Sequence, residues 1–310
     1  MILTPEVLTI YILDIIIGVF SIIAFIYSIK IVLSWDMDAV TPKQYMLQKI
    51  TYLNSTIIKF ILYIKIPLFI FFIFTLDKIS LILPGAMCGA GVINATTYGV
   101  ALLLLKILNI YIFAYWIVLD RYDVSKEDQP YTKLKFYIYM LVFVLLMVEI
   151  VTEVLMFSSI DVKSVVDCCG VIFSTTDNSY ISMVLGLPSY IILSLFYGVY
   201  MLVLISAKFR LTYMFSLFNL LFLIISLISL ISFFGTYIYQ LPTHHCPFCM
   251  LQSDYYFIGY ILYAVLFIGT FYGMALGFVR YKTSVYFDTI YVILVSLYPI
   301  VYYVENGVWL

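Results

Sequence analysis

Apolar residues run through this chain in long blocks rather than alternating with polar ones, and the blocks have membrane-crossing length. A membrane helix needs about 20 mostly apolar residues to cross roughly 30 Å of hydrocarbon. Blocks bounded by charge, Pro, Gly or Asn predict eight such helices, at 8–34, 56–76, 96–119, 136–157, 183–206, 212–237, 255–279 and 284–303. The links Lys208-Phe209-Arg210 and Arg280-Tyr281-Lys282 leave room only for tight turns. They make the fifth and sixth spans, and the seventh and eighth, antiparallel neighbours. No repeat period, low-complexity tract or soluble linker interrupts the pattern. It predicts an all-α, polytopic integral membrane helix bundle over 1–310, a single transmembrane domain with no soluble domain.

Composition agrees. The chain is 65% hydrophobic and 11% charged, with mean hydropathy +1.12, where soluble proteins are about half apolar and about a quarter charged. A net charge of -1 without a basic stripe excludes a nucleic-acid partner and leaves the lipid bilayer as the main one. Eleven of the sixteen Lys and Arg residues fall in the odd links or at the inner end of the first span, among them Lys30, Lys43, Lys49, Arg121 and Lys135. Cytoplasmic loops retain Lys and Arg in excess, so both termini are expected to be extracytoplasmic. Residues 1–10 carry Glu6 and no basic residue, unlike the charged start of a cleavable signal, so the first apolar run should stay. Abundant Ile, Tyr and Phe with sparse Ala point to an AT-rich genome and to a prokaryotic inner membrane.

Topology sharpens the meaning of the five cysteines. Cys88, Cys168, Cys169, Cys246 and Cys249 all fall in the even links, and His244 and His245 directly precede Cys246. Apolar filler cysteines belong inside spans, because a free Cys behaves as a small hydrophobe. The outer links 77–95, 158–182 and 238–254 are therefore expected to form one extracytoplasmic Cys/His face. The strongest local signal is His244-His245-Cys246-Pro247-Phe248-Cys249. Pro favours the first position of a helix, so Pro247 is expected to open the seventh helix with Cys246 at its N-cap, where the dipole stabilises a thiolate. Cys246-Pro247-Phe248-Cys249 resembles the dithiol of glutaredoxin-type enzymes over four residues, without the strand-then-helix context of that family. Adjacent Cys168 and Cys169 close a strained ring if bonded to each other, which leaves at least one for another partner. Glycines around Cys88, at Gly85, Gly89 and Gly91, permit a folded-back loop.

Charges inside the apolar runs are the second lead. Asp14, Lys59, Lys65, Lys106, Glu149, Glu153 and Asp288 lie there, each costing about 2.5–3.5 kcal/mol at mid-helix unless paired or wetted. Glu149 and Glu153 share a helix face and Lys106 reaches a comparable depth, so pairing is expected. Lys59 and Asp288 are expected to snorkel to the inner surface. Gly273 and Gly277 form a small-xxx-small pattern on the seventh helix. Residues 120–128 read as a solvated cytoplasmic turn, and Tyr255-Tyr256, Tyr302-Tyr303 and Trp309 as interfacial aromatics.

Three functions fit these residues. In the first, Cys246 and Cys249 relay electrons with Cys88, Cys168 or Cys169 to a quinone or a secreted redox partner, through thiolate attack on a disulfide. In the second, His244, His245, Cys246 and Cys249 bind copper or zinc for delivery or transport, with a metal-carrier protein as partner. The bundle carboxylates then line a conduction path. The third is a structural or permease subunit with disulfide-stapled loops. No nucleotide-binding loop is present, so ATP hydrolysis by this chain is not expected.

Overall fold

A computed structural model of the chain describes residues 4–36, 41–126, 128–166, 187–275 and 278–310. It is 81% helical, with no strand among the described residues. The elements are α1 (Pro5–Ser34), α2 (Pro42–Ser80), α3 (Gly89–Asn94), α4 (Gly99–Val124), α5 (Thr132–Ser159), α6 (Ser189–Lys208), α7 (Thr212–Tyr239, with a π-helical turn at Leu230–Phe234), α8 (Ile258–Met274) and α9 (Tyr281–Asn306). All but α3 and α8 are long and apolar enough to cross a membrane, seven helices among the described residues. The expected seventh span is the shorter α8, of 17 residues. Its start is delayed by Tyr256 and Phe257, both in the left-handed region.

Two helices exceed their expected bounds for identifiable reasons. α2 starts at Pro42 rather than at 56, because Thr41 caps it by accepting the Gln44 N–H and Pro42 presets the first turn. Leu47, Thr51 and Asn54 then bury one face, so Lys43 and Lys49 lie on helix rather than in a loop. α4 runs on to Val124, and Asp120 and Asp123 in its last turns are fully buried. Lys135 Nζ meets Asp120 and Asp123 at 2.9 Å each, and Lys59 meets Asp120 at 3.0 Å. Within the expected solvated turn, Arg121, Tyr122, Ser125 and Asp128 are exposed, whereas Asp120 and Asp123 form a buried, neutralised ion-pair cluster to which the partly exposed Lys59 is bound.

The chain divides into two compact units, Met1–Pro84 with Val92–Ser164, and Gly85–Gly91 with Val165–Leu310. In the first, α1 packs on α2 and α5 while α4 packs on α5 and α2, closing a ring of four helices. In the second, α7 packs on α6 and α8 while α9 packs on α8 and α6, again a ring of four.

The second ring closes tightly at two glycines of α8. A Cβ on Gly269 stands 2.2 Å from Asp288 Oδ1, and one on Gly273 stands 2.1 Å from Asn219 Cγ. The close-packing pair is therefore Gly269 and Gly273, whereas Gly277 lies outside the described residues. These glycines admit a buried polar row in which Ser284 Oγ lies 3.0 Å from Asp288 Oδ2 and 3.1 Å from Asn219 Oδ1. Asp288 is fully buried in this row. The snorkelling expected from its sequence position does not occur, because a short carboxyl packed against Gly269 has no path to the surface.

Candidate functional site

Three of the five cysteines converge. Cys88 arrives on Gly85–Gly91, and Cys246 and Cys249 on the link between α7 and α8, all within the second unit. Their sulfurs all lie within 4.8 Å of one another, with Cys88 Sγ and Cys246 Sγ 3.3 Å apart. The site is closed to solvent: Cys88 is 0% exposed, Cys246 1% and Cys249 5%. Cys168 and Cys169 lie outside the described residues.

Local chain chemistry explains the convergence. Gly85 takes φ +89°, where only glycine is unstrained, and a Cβ there stands 2.3 Å from the Val166 carbonyl. That turn feeds Cys88 into an apolar cluster with Ala90, Tyr239 and Met250. Gln252 Nε2 donates to the Met87 carbonyl at 3.3 Å, tying the two cysteine segments together. Tyr239, at the end of α7, donates its hydroxyl to the Cys246 carbonyl and accepts the Met250 N–H at 3.1 Å. One phenol thus spans the whole dithiol turn. Tyr263 of α8 donates to the Pro247 carbonyl at 2.8 Å.

Pro247 does not open the seventh helix. Cys246 precedes a turn, Cys249 begins a short 3-10 segment to Leu251, and α8 starts only at Ile258. The expected helix-dipole stabilisation of Cys246 is therefore absent. A backbone donor reaches it instead, the Phe248 N–H at 3.4 Å from Cys246 Sγ. Beside it, burial and then the nearby Cys249, Asp254 and Cys246 push the Tyr255 phenol above its ordinary range, so it stays protonated.

The histidines point to other work. His245 Nδ1 lies 3.0 Å from the Ile231 carbonyl in the π-helical turn, and His244 packs edge-on against Tyr239 at 4.5 Å. Among the described residues no histidine nitrogen joins the sulfur group, so the three-ligand set is Cys88, Cys246 and Cys249. Metal–sulfur bonds of about 2.3 Å place two sulfurs of one trigonal or tetrahedral centre ~4 Å apart. The 3.3 Å between Cys88 and Cys246, with all three sulfurs within 4.8 Å of one another, is compatible with that value. A disulfide, at about 2.05 Å, is not formed between Cys88 and Cys246.

The first unit holds the membrane-depth charges. Lys106 Nζ sits 3.0 Å from Glu149 Oε1 and 2.6 Å from Glu153 Oε2. Asp14 joins through Lys65, which lies 3.4 Å from Asp14 Oδ1 and 2.8 Å from Glu149 Oε1. Lys65 is among the intramembrane charges expected to pair, and its role as the bridge emerges only here, whereas Tyr239, the clamp on the cysteine turn, is a residue that the sequence does not single out. Lys65 carries a signal, a cation inside an apolar run, whereas Tyr239 is one of thirty tyrosines and carries none.

Comparison of the chain with known protein families, curated proteins and solved structures finds no match.

Proposed function

We propose that this integral membrane protein binds a soft metal ion, copper(I) before zinc, through Cys88, Cys246 and Cys249. The observation that carries this reading is the convergence of three buried sulfurs within 4.8 Å. Thiolates are soft donors that select copper(I) and zinc, and zinc favours a fourth ligand that copper(I) does not require. The distribution of Lys and Arg supports an extracytoplasmic site with both termini on that side, and the Ile-, Tyr- and Phe-rich composition supports a prokaryotic inner membrane. Metal delivery or transport is the role that suits a site in this position.

Burial separates this reading from the thiol–disulfide relay. Exchange with a secreted partner needs a sulfur that the partner can reach, and these three are at most 5% exposed. The relay keeps one observation in its favour, the 3.3 Å approach of Cys88 and Cys246. In that case their oxidation to a disulfide would release two protons and two electrons to a quinone. The test is elemental analysis of protein purified anaerobically with copper(I) or zinc supplied. About one metal per chain, lost in Cys88→Ser and kept when His244 and His245 are replaced, supports the metal site.

A further inference from the structure

The first unit buries a charge cluster that the cysteine site does not involve. Asp14 of α1, Lys65 of α2, Lys106 of α4, and Glu149 and Glu153 of α5 contribute one or two groups from every helix of the ring. None is more than 4% exposed. Asn109 of α4 donates to Glu149 Oε2 at 2.6 Å, Phe72 of α2 faces the Lys106 ammonium at 4.7 Å, and Tyr11 of α1 lies beside Glu153 and Asp14.

The charges do not balance. Three carboxylates face two ammonium groups, and Lys59 and Lys135 of the same unit are committed to Asp120 and Asp123. Fully ionised, the cluster leaves one uncompensated negative charge at membrane depth, where such a charge is strongly disfavoured. The hydrogen bonds show where the imbalance sits. Glu149 is satisfied on both oxygens, by Lys65 and Lys106 on one and Asn109 on the other. Glu153 has Lys106 on Oε2 alone, and its Oε1 has no partner, as is also true of Asp14 Oδ2.

We propose that this cluster is a proton-binding site. Glu153 takes up and releases the proton at Oε1, while Glu149 stays ionised between the two lysines. Uptake transfers H⁺ from water to the Glu153 carboxylate and brings the cluster from -1 to neutral, and release reverses it. A cavity of about 10 Å³ lies on the Glu149 side of the cluster, lined by Lys65, Lys106 and Glu149 with Leu68, Phe69, Ile110 and Phe113. That is room for about one water. Such a water would reach Glu153 through Lys106, which the cavity and Glu153 share.

The experiment is infrared spectroscopy of the full chain in lipid nanodiscs at neutral pH, reading the carbonyl band of protonated carboxyl groups. The expected result is a band that shifts in D₂O, disappears in Glu153→Gln and persists in Asp14→Asn. Incorporation of ¹³C-carboxyl glutamate into the unmutated protein serves if a variant does not fold: the band must shift with the label, which separates Glu153 from Asp14 and from the buried Asp288. A band that follows Asp14→Asn, or fails to shift with labelled glutamate, overturns the assignment to Glu153. A band that appears only when sodium is replaced by choline overturns the proton site in favour of a cation site.

Discussion

Cys88 Sγ lies 3.3 Å from Cys246 Sγ although 158 positions separate them in the chain. Mild oxidation is therefore expected to cross-link the two segments, recovered by mass spectrometry as a disulfide-linked peptide pair. Copper(I) or zinc added beforehand should suppress the cross-link by occupying the sulfurs. Cross-linking that is indifferent to metal would count against shared use of these thiols.

Tyr239 holds both sides of the dithiol turn, through the Cys246 carbonyl and the Met250 N–H. Tyr239→Phe removes both contacts without touching a sulfur. Loss of such supporting bonds weakens metal sites by about 10–100-fold. A competition titration with a metal chelator should show that loss, with helix content by circular dichroism unchanged.

Three glycines in apolar helices separate packing from propensity. Gly273→Ala drives a methyl group into Asn219, and Gly269→Ala drives one into Asp288. Each is expected to lower stability by about 1–3 kcal/mol, as overpacking does. Gly198 on α6 has nothing within 4 Å of a Cβ, so Gly198→Ala should gain about 0.5–1 kcal/mol from helix propensity. Thermal unfolding in detergent reads all three.

Lys65 neutralises Asp14 and Glu149 together. Lys65→Met strands the buried Asp14 and leaves Glu149 with Lys106 and Asn109 alone, and removing one partner of a buried pair costs about 3–5 kcal/mol. Lys59→Met, at a 29% exposed lysine whose partner Asp120 keeps Lys135, should cost clearly less. Equal losses in the same unfolding assay would contradict this ranking.

The helices were legible wherever the chain had to satisfy hydrocarbon, since an apolar run longer than a bilayer admits little but a helix. The polar starts and ends of α2 and α4 were not, because Thr51, Asn54, Asp120 and Asp123 are buried by tertiary partners that local composition does not reveal. The Thr41-Pro42 pair was a readable start signal that the apolar pattern overrode. In the cysteine site, the Cys-x-x-C spacing marked two sulfurs, but the third depended on how the Gly85 turn delivers Cys88. Pro247 does not start the helix for a physical reason: Tyr239 holds the Cys246 carbonyl and Tyr263 the Pro247 carbonyl in the turn, and the helix starts later.

The most direct test is metal and thiol stoichiometry measured on one anaerobic preparation, with and without reductant. The proposed site predicts about one copper or zinc per chain, with Cys88, Cys246 and Cys249 protected from alkylation until the metal is chelated. A metal-free protein in which two of these sulfurs react only after reduction would contradict it and establish a disulfide in its place.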